Sequence, residues 1–245
     1  MTTKNKLNDI VAMLRLNGIK KILKDELRRA EKNACSHSEL LYRLLSAEYT
    51  HRQQQSLLYR INQAKLPWDW TLQSFPFKKQ PGVSKTQIMD LAQLDFVGQA
   101  QNVIFIGNPG TGKSGLAAGL LREALLTGYR GRFYNAQDLL DELYSSLADR
   151  SSAKLIKRLA RYDLLVIDEL GYLTLNPEQS NAFFKLMGER YSHKATIITT
   201  NLDYEKWYDL FHSKDMVDAL LDRLKHRCIT ITIAGPSLRT PAETA

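Results

Sequence analysis

The feature that most limits what this chain can fold into is the octapeptide Gly107-Asn108-Pro109-Gly110-Thr111-Gly112-Lys113-Ser114, which follows the apolar run Val103 to Ile106 and opens a helical pattern from Gly112. Glycines at these spacings let a backbone wrap closely around a chain of phosphates, with amide N–H groups and the positive end of a helix facing inward. The strand before it and the helix after it are the context in which G-x-x-x-x-G-K-[ST] carries that meaning. Lys113 is then expected to reach the β- and γ-phosphates of a nucleoside triphosphate, and Ser114 to offer its hydroxyl to Mg2+.

From residue 101 onward strand patterns alternate with helical ones. Strands are expected at Val103 to Ile106, Arg132 to Tyr134, Leu164 to Ile167, Thr196 to Thr199 and Ile229 to Ile233. Helices are expected from Gly112, near Ala136 to Ala148, Ala153 to Ala160, Pro177 to Arg190, Tyr204 to Leu210 and Met216 to His226. Such alternation predicts an α/β fold with a central parallel sheet flanked by helices, and ligands bind such sheets at the carboxyl ends of the strands. Leu164-Leu165-Val166-Ile167-Asp168-Glu169 puts two carboxylates at one such end. Asp168 is expected to hold the metal through water and Glu169 to polarise the attacking water, a pairing that favours hydrolysis over transfer to an acceptor. Asn201, just past the strand Thr196 to Thr199, is a residue type that orients a water or touches a γ-phosphate, and it equally suits a turn.

The net charge of +8 is distributed unevenly: residues 1–80 hold 15 Lys+Arg against 7 Asp+Glu, whereas residues 81–245 hold 19 of each. All the excess positive charge therefore lies in the first third, where it is either a solvated helical surface or a seat for a polyanion such as nucleic acid. Leu7, Ile10, Val11 and Leu14, and after Gly18 the set Ile22, Leu23 and Leu27, predict one or two amphipathic helices. A further helix is expected from a cap at Ser36 or Ser38 to a stop before Pro67, with the polar stretch Glu48 to Gln55 exposed. Leu66 to Gly82 mixes Trp68, Trp70, Phe75 and Phe77 with three prolines, which predicts an extended connector. Its aromatics either stack on bases or pin the segment onto its domain. The expected domains are therefore a basic helical unit at 1–66, a connector at 67–82 and an α/β nucleotide-binding unit at 83–245.

Cys35 and Cys228 are far apart and without zinc spacing, so both are expected as reduced structural thiols. No apolar run approaches the roughly 18 residues of a membrane span, and Met1 to Ile10 is polar, so no membrane association and a cytoplasmic location are expected.

With these pieces in order, residues 83–239 resemble the AAA+ ATPases, in particular the branch that contains the bacterial helicase loader DnaC and the IstB-type helper ATPases of insertion sequences; the IstB likeness runs through nearly the whole chain. The stretches that carry it are Leu94-Asp95-Phe96, Gly107 to Ser114, Asp163 to Leu173 with Asp168-Glu169-Leu170-Gly171-Tyr172, Glu189-Arg190-Tyr191, Thr196 to Asn201, Leu221-Asp222-Arg223-Leu224 and Gly235-Pro236-Ser237-Leu238-Arg239. The resemblance implies an AAA+ P-loop fold preceded by a small all-helical domain. It implies Asn201 as the sensor-1 residue and Arg223 as a finger reaching a neighbouring subunit's γ-phosphate, with Arg190 as its rival. Arg239 is implied as a sensor-2-like nucleotide ligand, although family members usually end in Gly-Glu-Ser-Tyr-Arg where this chain has Gly235-Pro236-Ser237-Leu238-Arg239.

The function expected on these grounds is an ATP-hydrolysing, Mg2+-dependent protein that assembles as a homo-oligomer on duplex DNA and recruits or activates the transposase of its own insertion sequence. The alternative is a DnaC-like helicase loader. A monomeric phosphotransferase is disfavoured by Glu169 and Asn201, and a third reading is a non-catalytic scaffold that binds DNA through residues 1–80 and keeps nucleotide only for folding.

Overall fold

The computed structural model describes residues 3–32, 35–171, 174–211 and 213–239. Tyr172 and Leu173 of the family-like stretch, and the tail beyond Arg239, lie outside the described residues. The chain separates into two compact units, Met1–Tyr59 and Arg60–Ala245.

The first unit is helical. Helix α1 spans Thr3–Met13, α2 Asn17–Lys32, and α3, which begins in this unit, His37–Ala64. The apolar pattern on either side of Gly18 thus resolves into two helices, and Ser36 is the cap of α3, its hydroxyl accepting from the Glu39 amide at 3.2 Å. Val11, Ile19 and Leu23 form a small core against Leu16, Leu27 and Leu44. Glu48 departs from expectation, being buried rather than exposed. Its carboxylate accepts from the Gly18 and Ile19 amides at 2.7 and 3.2 Å, closing the open N-terminal turn of α2. Ile10 and Met13 on α1, Leu14 just after it, and Leu41 and Leu45 on α3 remain exposed.

The second unit is built on five parallel strands, β1 Asn102–Gly107, β2 Gly131–Asn135, β3 Leu164–Asp168, β4 Ala195–Thr200 and β5 Cys228–Ile233, in the order β2-β3-β4-β1-β5. The helices are α4 Lys85–Leu91, α5 Asp95–Gly98, α6 Lys113–Leu126, α7 Ala136–Ala148, α8 Ser152–Ala160, α9 Pro177–Arg190, α10 Trp207–Leu210 and α11 Lys214–His226. Apolar residues fill both faces of the central strands, as a sheet covered on two sides requires. Val103 and Phe105 of β1 point into a core shared with α4, α5 and α6, while Ile104 and Ile106 point into a second core shared with α7 to α11. Since α6 and α9 lie on opposite faces, the winding reverses between β1 and β4, and the crevice at the carboxyl ends of those strands is where such sheets take ligands.

Residues 67–82 are not an extended tether. They form two short 3-10 turns, Leu72–Ser74 and Phe77–Lys79, and lie along α6, with Leu72 and Phe75 buried. The helix admits them because it carries glycine on the facing side: a Cβ at Gly115 would stand 2.2 Å from Trp70, and one at Gly119 2.6 Å from Leu72. Glycine inside a helix costs about 1 kcal/mol relative to alanine, and here the buried aromatic and aliphatic area offsets it. Trp68 and Trp70 stay partly exposed, with ring centroids 6.1 Å apart. Both cysteines are free thiols. Among the described residues no helix is long and apolar enough to cross a membrane.

Candidate nucleotide site

The loop between β1 and α6 turns twice through the left-handed region, at Gly110 (φ 80°) and Gly112 (φ 93°), a conformation that suits glycine and not the residues around it. Thr111, fully buried, fastens the turn by donating its hydroxyl to the Asn108 carbonyl at 2.8 Å. The Lys113 ammonium folds over the loop and donates to the Gly107 and Asn108 carbonyls at 2.8 and 2.9 Å. Burial lowers its pKa below the ordinary lysine value; Asp168 and Glu169 oppose that shift and Arg239 adds to it.

Asp168 ends β3, buried beneath the loop. Burial raises its pKa above the usual carboxylate value, against hydrogen bonds from the Thr199 and Ser114 hydroxyls; Glu169 adds to the rise and Lys113 opposes it. Glu169 takes a left-handed backbone (φ 62°), which turns its side chain out of the strand direction. One residue of β4 organises both acids: the Thr199 hydroxyl donates to Asp168 Oδ1 and accepts from the Glu169 amide at 2.9 Å. Asn135, at the end of β2 and in register with Asp168, donates from Nδ2 to Glu169 Oε2 at 3.2 Å. Neither Thr199 nor Asn135 stands out in the sequence as a site residue. The one signal available for Asn135 is a polar residue at the carboxyl end of an otherwise apolar strand.

These groups meet in a cavity of about 460 Å3, whose walls include Gly110, Lys113, Ser114, Asp168, Glu169, Asn201 and Arg239, with Pro67, Trp68 and Trp70 at one side. Gly107, Asn108 and Thr111 form the loop's base, and Pro109 and Gly112 also line the cavity. Asn201 presents a buried Oδ1 that has no partner among the described residues, and a Cβ at Gly171 would stand 2.7 Å from it. Arg239 arrives on the segment after β5, which is held to the loop by the Leu238 amide donating to the Gly110 carbonyl at 2.7 Å.

The donor set fits a Mg2+-triphosphate. Glycine turns leave amides uncovered for phosphate oxygens, a lone ammonium faces them, and the orphaned Asn201 oxygen awaits a donor. Among the described residues no three His, Cys, Asp or Glu side chains gather into a cage. A Mg2+ here would take Ser114, Asp168 and phosphate oxygens, as this cation does when it arrives with its substrate.

The two arginines weighed as fingers are placed differently. Arg190 is buried, and its guanidinium donates to the Leu159 and Tyr162 carbonyls at 2.9 Å, to Thr196 Oγ1 at 3.0 Å and to the Ala195 carbonyl. Held by these acceptors, it ties α9 to the sheet and cannot extend to another subunit. Arg223 lies on α11, outside the cavity, with its guanidinium 4.7 Å from the Phe184 ring centroid.

A parallel sheet in this order, with a phosphate loop after β1, a carboxylate pair after β3 and an asparagine after β4, defines an AAA+ P-loop ATPase. The folds of solved relatives agree: the replication initiator DnaA bound to AMPPCP and single-stranded DNA superposes with a TM-score of 0.58 at 20% identity over 69% of this chain and 51% of that one. The DnaC helicase loader gives 0.53 at 26% identity over 69% of this chain and 99% of the solved chain. Within that class the chain belongs to the IstB-like ATP binding protein family, which it matches over residues 10–244. It is 35% identical to the ATP-binding protein of insertion sequence IS5376 from Geobacillus stearothermophilus over 83% of this chain and 81% of that protein. It is 32% identical to the IS21 ATP-binding protein from Pseudomonas aeruginosa over 96% of this chain and 89% of that one.

Proposed function

We propose that this protein is a cytoplasmic, Mg2+-dependent ATPase that assembles on duplex DNA and recruits or activates the transposase of its insertion sequence. The observation that carries the catalytic part is the convergence of Lys113, Ser114, Asp168, Glu169 and Asn201 on one cavity. Bound MgATP supplies the phosphoanhydride and the metal. Lys113 and the loop amides bind the phosphates, Asp168 and Ser114 hold the metal side, and Asn201 orients a water. Glu169, steadied by Asn135 and by the Thr199 hydroxyl, accepts that water's proton. Arg223 stands outside its own cavity, which supports a finger acting in a neighbouring subunit, so that turnover depends on assembly.

DNA contact rests on charge. Besides the basic first 80 residues, α8 buries Leu155, Ile156 and Leu159 and turns Lys154, Lys157 and Arg158 outward, with Arg161 following it. A groove of about 850 Å3 runs along this face. Among the described residues, Arg158 pairs with Glu142 and the other three are in no ion pair. A surface of unpaired cations binds phosphates with strong salt dependence and little base selectivity. The exposed Ile10, Met13, Leu14, Leu41 and Leu45 are suited to protein contacts of the first unit.

Glu169→Gln is the deciding substitution. ATP is expected to bind, hydrolysis nearly to stop and assemblies on DNA to persist, as seen by calorimetry, phosphate release and electron microscopy. Normal turnover in that variant would remove Glu169 from the mechanism. The helicase-loader reading, favoured by the likeness of 69% of this chain to the solved DnaC loader, predicts assembly on single strands rather than duplex, which a side-by-side filament assay with the two DNAs separates.

A further inference from the structure

Gln80 is fully buried, although glutamine is among the residues most at home in water. Its Nε2 donates to the Thr111 carbonyl at 3.1 Å and to the Pro236 carbonyl at 2.9 Å. Because both partners are acceptors, the nitrogen must face them; a flipped amide would set oxygen against oxygen. Its Oε1 then faces Gly235, where a Cβ would stand 1.3 Å away, and has no hydrogen-bond partner among the described residues. The neighbouring Gly82 packs backbone to backbone on the same turn, a Cβ there standing 2.8 Å from the Gly235 nitrogen.

One side chain therefore joins three segments far apart in sequence: the stretch before α4, the phosphate loop, and the segment after β5. The last of these also grips the loop directly, through the Leu238 amide on the Gly110 carbonyl and through Ser237, whose Oγ lies 2.1 Å from where a Gly110 Cβ would be. Arg239 follows at once and lines the nucleotide cavity. If Gln80 served packing alone, an apolar side chain of its size would do as well and would leave no orphaned oxygen. What the amide adds is two directed bonds that fix the Thr111 and Pro236 carbonyls relative to each other.

We infer that Gln80 is a positioning residue for nucleotide binding, clasping the segment after β5 to the phosphate loop so that Arg239 is presented to the phosphates. This rests on the proposed ATP site and deepens it by assigning the clasp that assembles one wall.

The test is a double-mutant cycle. Gln80→Met keeps the side chain's length while removing both donors and the orphaned oxygen; Arg239→Ala removes the group being placed. MgATP affinity is measured by calorimetry on the full chain, and nucleotide-free thermal unfolding reports on the fold. Each single variant is expected to weaken MgATP by about tenfold. Groups that act through one another are not additive, so the double variant is expected within about threefold of the weaker single. Unfolding of Gln80→Met without nucleotide is expected to come a few degrees earlier, because two carbonyls lose their donor, and to stay cooperative and well above the temperature of the calorimetry. Losses that multiply to about a hundredfold would show Gln80 acting independently of Arg239 and would overturn the inference. An unaltered affinity in Gln80→Met, with the Arg239→Ala loss intact, would overturn it while leaving the ATP site standing. A silent Arg239→Ala would also overturn it, and Lys113→Ala would then report whether the ATP site itself stands. Should Gln80→Met fold poorly, Gly235→Ala displaces the amide without deleting it. The same tenfold loss, again not additive with Arg239→Ala, is expected there, and multiplicative losses would refute the clasp.

Discussion

Replacing Thr199 by valine removes one buried hydroxyl and leaves the shape of β4 nearly unaltered. That hydroxyl has two bonds, one donated to the Asp168 carboxyl and one accepted from the Glu169 amide. A neutral hydrogen bond contributes about 1 kcal/mol and one to a charged group about 1.5–3 kcal/mol. Part is recovered because the added methyl is buried at a fully enclosed position, which leaves a net loss of about 2–3 kcal/mol. At about 2–4 °C per kcal/mol for a unit of this size, Tm should fall by roughly 5–10 °C, readable by scanning calorimetry. The catalytic effect is larger than the stability effect. Glu169 leaves the strand through a left-handed residue that the Thr199 bond holds in place, and displacement of a catalytic group by about 1 Å costs up to roughly a hundredfold in rate. We expect Thr199→Val to lower kcat about 10- to 100-fold and to leave the MgATP Kd within about threefold, since Lys113 and the loop are untouched. Thr199→Ser, which restores the hydroxyl, should recover most of the rate. Undiminished kcat in Thr199→Val, or a Kd that worsens as much as kcat falls, would refute the claim that this hydroxyl positions the acids.

Arg223→Ala should spare ATP binding and cut turnover; mixing it with a Lys113→Ala subunit, which keeps its arginine but binds nucleotide poorly, should restore part of the rate, and no gain on mixing would argue against action between subunits. Lys154→Gln with Lys157→Gln should weaken duplex binding evenly across sequences and flatten the slope of log affinity against log salt by about 2, against no change if α8 does not touch DNA. For acid stability the group to follow is Asp163. Burial would raise its pKa, but Lys194 at 2.6 Å, the Arg130 amide and the charges of both outweigh this, and its folded pKa lies below the unfolded value. Its contribution is present above the unfolded carboxylate pKa and is lost as pH falls through the folded one. Asp163→Asn should therefore flatten the acid limb of a urea-midpoint-versus-pH curve and lower the neutral plateau; parallel curves would contradict the assignment.

Much of the architecture was legible because its signals are local. The strand, glycine turn and helix around Lys113 announce themselves by spacing, and α9 runs from Pro177 to Arg190 as its proline start and apolar period predict. What escaped depends on register and approach across the chain. Asn135 reaches Glu169 only because β2 pairs with β3 so that Asn135 sits opposite Asp168. Glu48 reads as part of an exposed polar run, yet it is buried because α2 begins against it and needs an acceptor for its free amides. Arg190 reads as a rival finger within a family stretch, yet carbonyls of the segments around it take up its guanidinium. A net charge of zero after residue 80 also hides segregation: residues 150–161 contain five cations and no acid, and only the helix places three of them on one outward face.

The glycines of α6 bear on how the chain can be dissected. A fragment trimmed to begin at residue 83 would retain Lys113, Ser114, Asp168, Glu169, Asn201 and Arg239, and would lose Leu72 and Phe75 from the interior and the Gln80 amide from the phosphate loop. The helix that starts at Lys113 would then expose bare backbone to water along Gly115 and Gly119. Such a fragment is expected to lose nucleotide through a softened helix and an unclasped loop, so its failure would say nothing about Lys113 and its neighbours; a piece that begins near residue 60 keeps the second unit whole.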